Sequence, residues 1–290
     1  MSQRLQNAIL FVVVCWIWGS TWLAIRLGLQ GVPAITSAAM RMTASGIILL
    51  LVATALREVW PRSRLYVLHI AIQGSLLFCL QYALIYWAEQ TVPSGLAAVL
   101  FATVPIIVAI NAAYVFKIER LSSVNVLGLA LGFAGVIVIY WSEVIRAAHA
   151  PALGVGALLL AAVASSFASV FAKRYAHGIS PLATVGPGQL LGGVLLWIIA
   201  WIADRGQAIR FTAVSAGALA YLVLFGSCIV FLGYFTLMKR MPITRLSLIT
   251  YVIPVLAVIL GTLVAHETIA PTTLAGALVV LAGVWLVGRH

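Results

Sequence analysis

Apolar residues in this chain come in long runs broken by short polar punctuation. Ten such runs, at residues 5–25, 34–56, 65–88, 92–116, 122–141, 152–172, 181–203, 214–238, 242–265 and 272–288, come close to the roughly 20 residues that a helix needs to cross a bilayer. The alternating ten-residue pattern of an outer-membrane barrel is absent from the sequence. The backbone is therefore expected to satisfy its hydrogen bonds within helices. The pattern predicts an all-α integral membrane protein with ten transmembrane helices. The first run follows Arg4 and ends at Arg26 without a small-residue cleavage site, so it is expected to be a first span rather than a signal peptide.

The pattern also repeats. Glu119 and Glu267 lie 148 positions apart, and each is followed by glycines in the same register, Gly128 and Gly135 after the first and Gly276 and Gly283 after the second. The same offset pairs Arg26 with Arg174, Pro33 with Pro181, Thr36 with Thr184, Leu84 with Leu232 and Tyr86 with Tyr234, and Pro105 pairs with Pro254 one insertion away. Matches in one register along the chain indicate duplication, a recurrent signature of transporters. The expected units are residues 1–146 and 147–290, five helices each, joined through residues 142–151 with Glu143 and Arg146. Five is odd, so the second unit enters the membrane with the opposite sense to the first. Two such inverted repeats are expected to enclose a central cavity.

Composition agrees with lipid as the solvent. Hydrophobic residues make up 64% and charged residues 8% of the chain, where a soluble domain carries about 25% charge. The excess of 17 Lys+Arg over 6 Asp+Glu does not point to nucleic acid, because the basic residues are spread singly through short loops. They report topology instead. With the N-terminus inside, inner segments hold eleven basic residues and outer loops four, so both termini are expected in the cytoplasm. The loop Lys117-Ile118-Glu119-Arg120 has the repeat equivalent Ala265-His266-Glu267-Thr268. The carboxylate is shared and the basic residues are lost, as inverted repeats require. Cys15, Cys79 and Cys228 fall within spans and read as buried apolar residues rather than a disulfide framework.

These features resemble the drug/metabolite transporter superfamily in its ten-span EamA-type branch. The resemblance rests on Trp18-Gly19-Ser20 in the first span, on Pro33 followed by Arg41, and on Pro105 with Glu119 and Pro254 with Glu267. Among relatives, the bacterial amino-acid exporters, including those for aromatic amino acids, are nearest. The resemblance implies a helical basket around a cavity that opens alternately to the two sides, in a bacterial inner membrane. It implies a transporter exporting small metabolites, with amino acids as substrate, and it leaves broad drug or metabolite efflux by proton antiport as the alternative.

Several residues are candidates for the transport path. Arg41 is the only basic residue well inside a span, about seven residues or ~10 Å from its outer end. It is either the counter-ion of a substrate carboxylate or a structural donor that ties helix ends together, and its repeat mate Gln189 is polar but uncharged. Pro105 and Pro254 each remove an amide hydrogen near mid-span, so both helices are expected to kink there and point to a midplane site. Phe78, Tyr82 and Tyr86 are spaced by four and share a helix face beside Gln81, while Trp18 and Trp22 share a face of the first span near Thr21. Ser166 and Ser169 in the sixth span, with Thr103, Tyr234 and Tyr251, complete the set; packing is the alternative role of each hydroxyl. Trp60, Trp87, Trp141, Trp197, Trp201 and Trp285, nearer span ends, read as interface anchors.

The expected partners are a small-molecule substrate and the lipid bilayer, with no nucleic acid and no cofactor. The small-residue motifs at Gly128 and Gly132, and at Gly188 and Gly192, permit close helix approach without requiring an oligomer. No Asp or Glu lies deep in a span; Glu89 sits at the outer end of the third and His69 near its inner end. That weighs toward a passive facilitator over proton antiport. An intramembrane enzyme would need a nucleophile and base, paired carboxylates or a metal cluster. His266-Glu267 opens like a zinc-protease motif, but Ala270 stands where the second histidine belongs. No phosphate-binding loop of the Gly-x4-Gly-Lys type is present in the sequence.

Overall fold

The computed structural model describes residues 2–146, 151–265 and 270–289. Glu267, His266 and the centre of the 142–151 joint lie outside the described residues. Among the described residues no strand is formed. The long helices among the described residues are α1 (Gln3–Gly28), α2 (Ala34–Ala55), α3 (Arg64–Ala88), α4 (Gly95–Val115), α5 (Ser123–Ile139), α6 (Ala152–Tyr175), α7 (Pro181–Ala203), α8 (Ala213–Arg240), α9 (segments Ile243–Ser247 and Ile249–Ala265) and α10 (Pro271–Gly288), and a short helix, Trp141–Arg146, follows α5. Eight of the numbered helices, all but α5 and α9, are long and apolar enough to cross a membrane.

Their starts follow from local chemistry. Ser63, Ser122 and Ser180 each accept a backbone amide of the turn they cap, from Tyr66, Asn125 and Ala183, and Thr212 forms a reciprocal capping box with Ser215. Such caps satisfy amides that the first helical turn leaves without partners. The start of α2 has no side-chain cap of its own. Asp204, beyond the end of α7, supplies one by accepting the Thr36 amide at 2.7 Å and the Thr36 hydroxyl at 2.8 Å.

The two most extensive helix interfaces, α2 with α7 and α5 with α10, each join repeat-equivalent helices. Both pairs run antiparallel. Along α2 and α7, Thr43 meets Gly193, Gly46 meets Leu190 and Leu49 meets Gly186. Along α5 and α10, Gly128 meets Gly283 and Gly135 meets Gly276. Exchanging the repeats turns the first of these glycine pairs into the second. Absence of a side chain is what lets these backbones touch: a Cβ on Gly135 would lie 2.8 Å from the Gly276 carbonyl oxygen, and a Cβ on Gly276 would lie 2.8 Å from that of Gly135. The first helix of each repeat crosses to the other, α1 packing on α8 and α9 and α6 on α3 and α4.

Among the described residues three segments are π-helical. Gln73–Leu80 in α3 and Leu224–Ile229 in α8 are π-helical at matching places in the two repeats, and Asn111–Val115 ends α4 in the same way. The two prolines sit differently relative to the breaks in their helices. In α4 the helix is interrupted at Ala102 and Thr103, just before Pro105. In α9 the interruption falls at Leu248, and Pro254 sits inside the continuous segment beyond it. A third proline, Pro187, lies inside α7, and the Ala183 carbonyl that it deprives of an amide accepts the Tyr66 hydroxyl at 2.9 Å.

Candidate functional site

The crossing of α1 and α6 leaves a cavity of about 130 Å³ between α1, α2, α3, α4, α6, α8 and α9. One wall is Trp18, Thr21 and Trp22 of α1, and facing it are Gln81, Tyr82 and Tyr86 of α3. Ser165 and Ser169 of α6, Phe231 and Tyr234 of α8, and Ser247, Thr250 and Pro254 of α9 close the ring. Among the described lining residues, Arg41 is the one formal charge. The aromatic wall is braced from behind: the Trp18 ring lies 5.4 Å from Phe231 and 5.3 Å from Tyr234, and Phe78 meets Phe231 edge-on at 4.9 Å. Pro105 and Pro254 remove the amides that would meet the carbonyls of Phe101 and Thr250, and both of those residues line the cavity.

Arg41 is 1% exposed. Its guanidinium donates from Nε to the Ser227 hydroxyl at 2.9 Å, from Nη2 to the Gly226 carbonyl at 2.7 Å and from Nη1 to the Tyr86 hydroxyl at 3.2 Å. It also sits over the Tyr82 ring, 5.1 Å from its centroid. The repeat mate Gln189 reaches the same turn, donating to the Ser227 carbonyl at 3.3 Å.

Ten of the residues singled out from the sequence thus line one space: Trp18, Thr21, Trp22, Arg41, Gln81, Tyr82, Tyr86, Ser169, Tyr234 and Pro254. Five others lie behind its wall. Phe78 is fully buried beneath Gly188 and Gly192 of α7, because the π-helical stretch Gln73–Leu80 breaks the spacing that placed it with Tyr82. Tyr251 turns to α5, where its hydroxyl donates to the Leu129 carbonyl at 3.0 Å and its ring fills the space left by Gly132. The Thr103 hydroxyl returns to the Leu100 carbonyl at 2.6 Å, within the interruption of α4. Ser166 is buried between α6 and α4, with its hydroxyl 3.5 Å from the Val104 carbonyl. Pro105 is buried in the same helix wall. Sequence reasoning did not assign Gly226, Phe231 or Phe101, whose only mark in the sequence is a place within an apolar run.

The two ends of the cavity differ. Toward the end where α1 and α3 finish, the lining continues through Trp22, Ile25, Ile85 and Tyr86, with Glu89 one turn further on. Burial pushes the Glu89 carboxyl up to about 7, against the pull of Arg26 and Arg41 toward the charged form. At the opposite end Phe116, Phe167, Phe171 and Tyr175 form a contiguous ring cluster, Phe171 and Tyr175 being 4.7 Å apart. The His69 ring stacks on Phe171 at 6.4 Å. It is fully buried rather than interfacial, and neither ring nitrogen has a partner among the described hydrogen bonds. Beside this cluster the Glu119 carboxylate accepts the Ile243 and Thr244 amides, and Lys173 donates to the Met238 and Met241 carbonyls at 2.5 and 3.0 Å.

An all-helical protein of two repeats with a cavity between them has the architecture that recurs among membrane transporters. Comparison with known proteins gives the family. Residues 6–141 and 152–289 both match the EamA-like transporter family, and the chain belongs to that family. It is 32% identical over 268 residues to the uncharacterized inner membrane transporter YedA of Escherichia coli K12, covering 88% of this chain and 81% of that protein. It is 27% identical over 259 residues to protein PagO of Salmonella typhimurium, covering 88% and 84%. A crystal structure 20% identical in sequence superposes with a TM-score of 0.80 over 97% of this chain and 96% of its own, a likeness of fold. The chain is a membrane transporter and not an enzyme.

Proposed function

We propose that this protein exports amino acids with apolar or aromatic side chains across a bacterial inner membrane, by alternating access through the central cavity. The observation that carries the reading is the make-up of the cavity: aromatic walls, a few hydroxyls and amides, and a single buried cation with no lining carboxylate among the described residues. Aromatic faces favour an apolar side chain. The positive potential of Arg41, in a low-dielectric wall whose described lining holds no carboxylate, favours the end of the substrate that bears one. A quaternary drug cation would meet the wrong sign of charge, and a nucleotide sugar would find one cation for several phosphates. The name of the YedA relative supports the inner membrane.

The proposed topology has ten spans in two inverted units, residues 1–146 and 147–290, with both termini cytoplasmic. The antiparallel contact of each repeat-equivalent pair supports inversion, since the operation relating the units must reverse helix direction. The eleven-to-four excess of basic residues supports the orientation. In that orientation the closed end, with Glu119 and the ring cluster, faces the cytoplasm and the cavity reaches toward the outside. The missing carboxylate at mid-depth weighs toward facilitated movement, with the half-buried Glu89 at the outer end as the acid available to proton antiport.

Thermal unfolding of the purified protein in detergent, with a panel of candidate ligands, tests the substrate class. Phenylalanine, tryptophan and leucine are expected to raise the midpoint, and tetraphenylphosphonium and a uridine-diphosphate sugar to leave it unchanged. Stabilisation by the cation or the nucleotide sugar alone would refute the amino-acid reading.

A further inference from the structure

Arg41 invites the role of direct counter-ion, and its surroundings point elsewhere. The residue is 1% exposed, and four of the five N–H groups of its guanidinium meet protein oxygens, two of them on one turn of α8. That turn lies within the π-helical segment Leu224–Ile229. Where π register gives way to α register the amide pairing skips one carbonyl, which is then open to an outside donor, and a carbonyl that keeps its amide has a second lone pair to offer. Two successive carbonyls of this turn have outside donors: Gly226 receives Arg41 and Ser227 receives Gln189, the repeat mate of Arg41. The two positions that pseudo-symmetry relates thus converge on a single turn.

The consequence lies further along α8. Regular α-helix resumes at Val230 and carries Phe231 and Tyr234 into the cavity wall. Each residue turns an α-helix by about 100°, so losing the extra residue of the π segment would rotate everything beyond it by roughly that angle. Phe231 and Tyr234 would leave the cavity and the brace behind Trp18 would go with them.

We infer that Arg41 is a positioning residue: with Gln189 it holds the π turn of α8 at Gly226 and Ser227, and so aims the aromatic wall formed by Phe231 and Tyr234 at the substrate's side chain. Selectivity for aromatic over small substrates then depends on Arg41 through geometry, and its positive field on the substrate carboxylate is secondary. The statement about selectivity rests on the amino-acid reading above; the statement about the wall does not.

Two measurements test it. The first places a single cysteine at Tyr234→Cys, with Cys15, Cys79 and Cys228 replaced by alanine, and follows labelling by a small maleimide in proteoliposomes. Adding Arg41→Gln is expected to slow labelling at least tenfold, and Gln189→Leu to slow it in the same direction by less. Should Arg41→Gln fail to fold, Gln189→Leu carries the test alone. Labelling unchanged in the folded variants overturns the inference, whatever the substrate proves to be. The second compares Arg41→Lys with Arg41→Gln in phenylalanine and alanine transport. Lysine keeps the charge and lacks the planar fork that spans Gly226 and Ser227, so both variants are expected to lose the preference for phenylalanine. Retention of that preference by Arg41→Lys, with its loss in Arg41→Gln, would make the residue a counter-ion and overturn the inference. If no amino acid moves through the wild-type protein while Tyr234→Cys labelling still responds to Arg41, the substrate reading fails and the positioning role stands.

Discussion

Glu119 closes the start of α9 from the opposite repeat, its carboxylate accepting the Ile243 amide at 2.5 Å and the Thr244 amide at 3.2 Å. Pro242 gives α9 no side-chain cap of its own, so this contact is the cap, and it adds a negative charge at the positive end of a helix. Replacing Glu119 by alanine is expected to remove about 1–2 kcal/mol from that closure. A cysteine at Ser169, in the cavity wall, should then react several-fold faster with an impermeant reagent applied from the closed side. An unchanged rate would mean that the ring cluster of Phe116, Phe167, Phe171 and Tyr175 seals that end without help.

The contact between Gly135 and Gly276 sets the spacing of α5 and α10. A side chain at either position meets the backbone of the other helix, which cannot yield as the tip of a flexible side chain does. Gly276→Val is expected to cost about 1–3 kcal/mol or more, read as a lower unfolding midpoint in detergent. Gly156, with nothing near its missing Cβ, is the control: Gly156→Ala should leave the midpoint unchanged or slightly raised.

Glu89 gives stability a pH dependence of definite sign. Its native carboxyl titrates near 7, above the ordinary value of 4.5, so between those values the folded protein holds a proton that the unfolded chain has released. The folded state binds more protons in that window, and stability from this group falls as pH rises through it. Glu89→Gln is expected to flatten the decline in unfolding midpoint between pH 5 and 8. A decline of the same size in the variant would assign the effect to other groups.

Tyr82 offers its ring to the cavity and its rear face to Arg41. Removing the ring in Tyr82→Ala gives up an aromatic contact of about 1.5 kcal/mol, roughly tenfold in apparent affinity, for substrates large enough to reach it. Transport of phenylalanine should suffer by that factor and transport of alanine hardly at all. Equal losses for both would indicate a damaged fold.

The sequence announces the architecture because burying backbone in lipid leaves few options: apolar runs become helices, and the register of Glu119, Gly128 and Gly135 against Glu267, Gly276 and Gly283 exposes the duplication. The cavity was legible where α periodicity holds, as for Tyr82 and Tyr86 or Trp18 and Thr21. It was not legible where periodicity breaks. The π segments of α3 and α8 leave no compositional mark, so Phe78 falls behind the wall and Phe231 enters it. Tyr251 illustrates a second obstacle: whether a polar aromatic faces a cavity or a neighbouring helix depends on where a glycine such as Gly132 makes room. The partners of Arg41 at Gly226 and Ser227 lie some 186 positions away in the chain, beyond any local pattern.

Flux through the reconstituted protein tests the central claim most directly. Proteoliposomes loaded with unlabelled phenylalanine and diluted into labelled phenylalanine should accumulate label by counterflow, saturably, and Tyr82→Ala should depress it. Accumulation no greater than in protein-free liposomes, with the protein folded and inserted, would contradict the account.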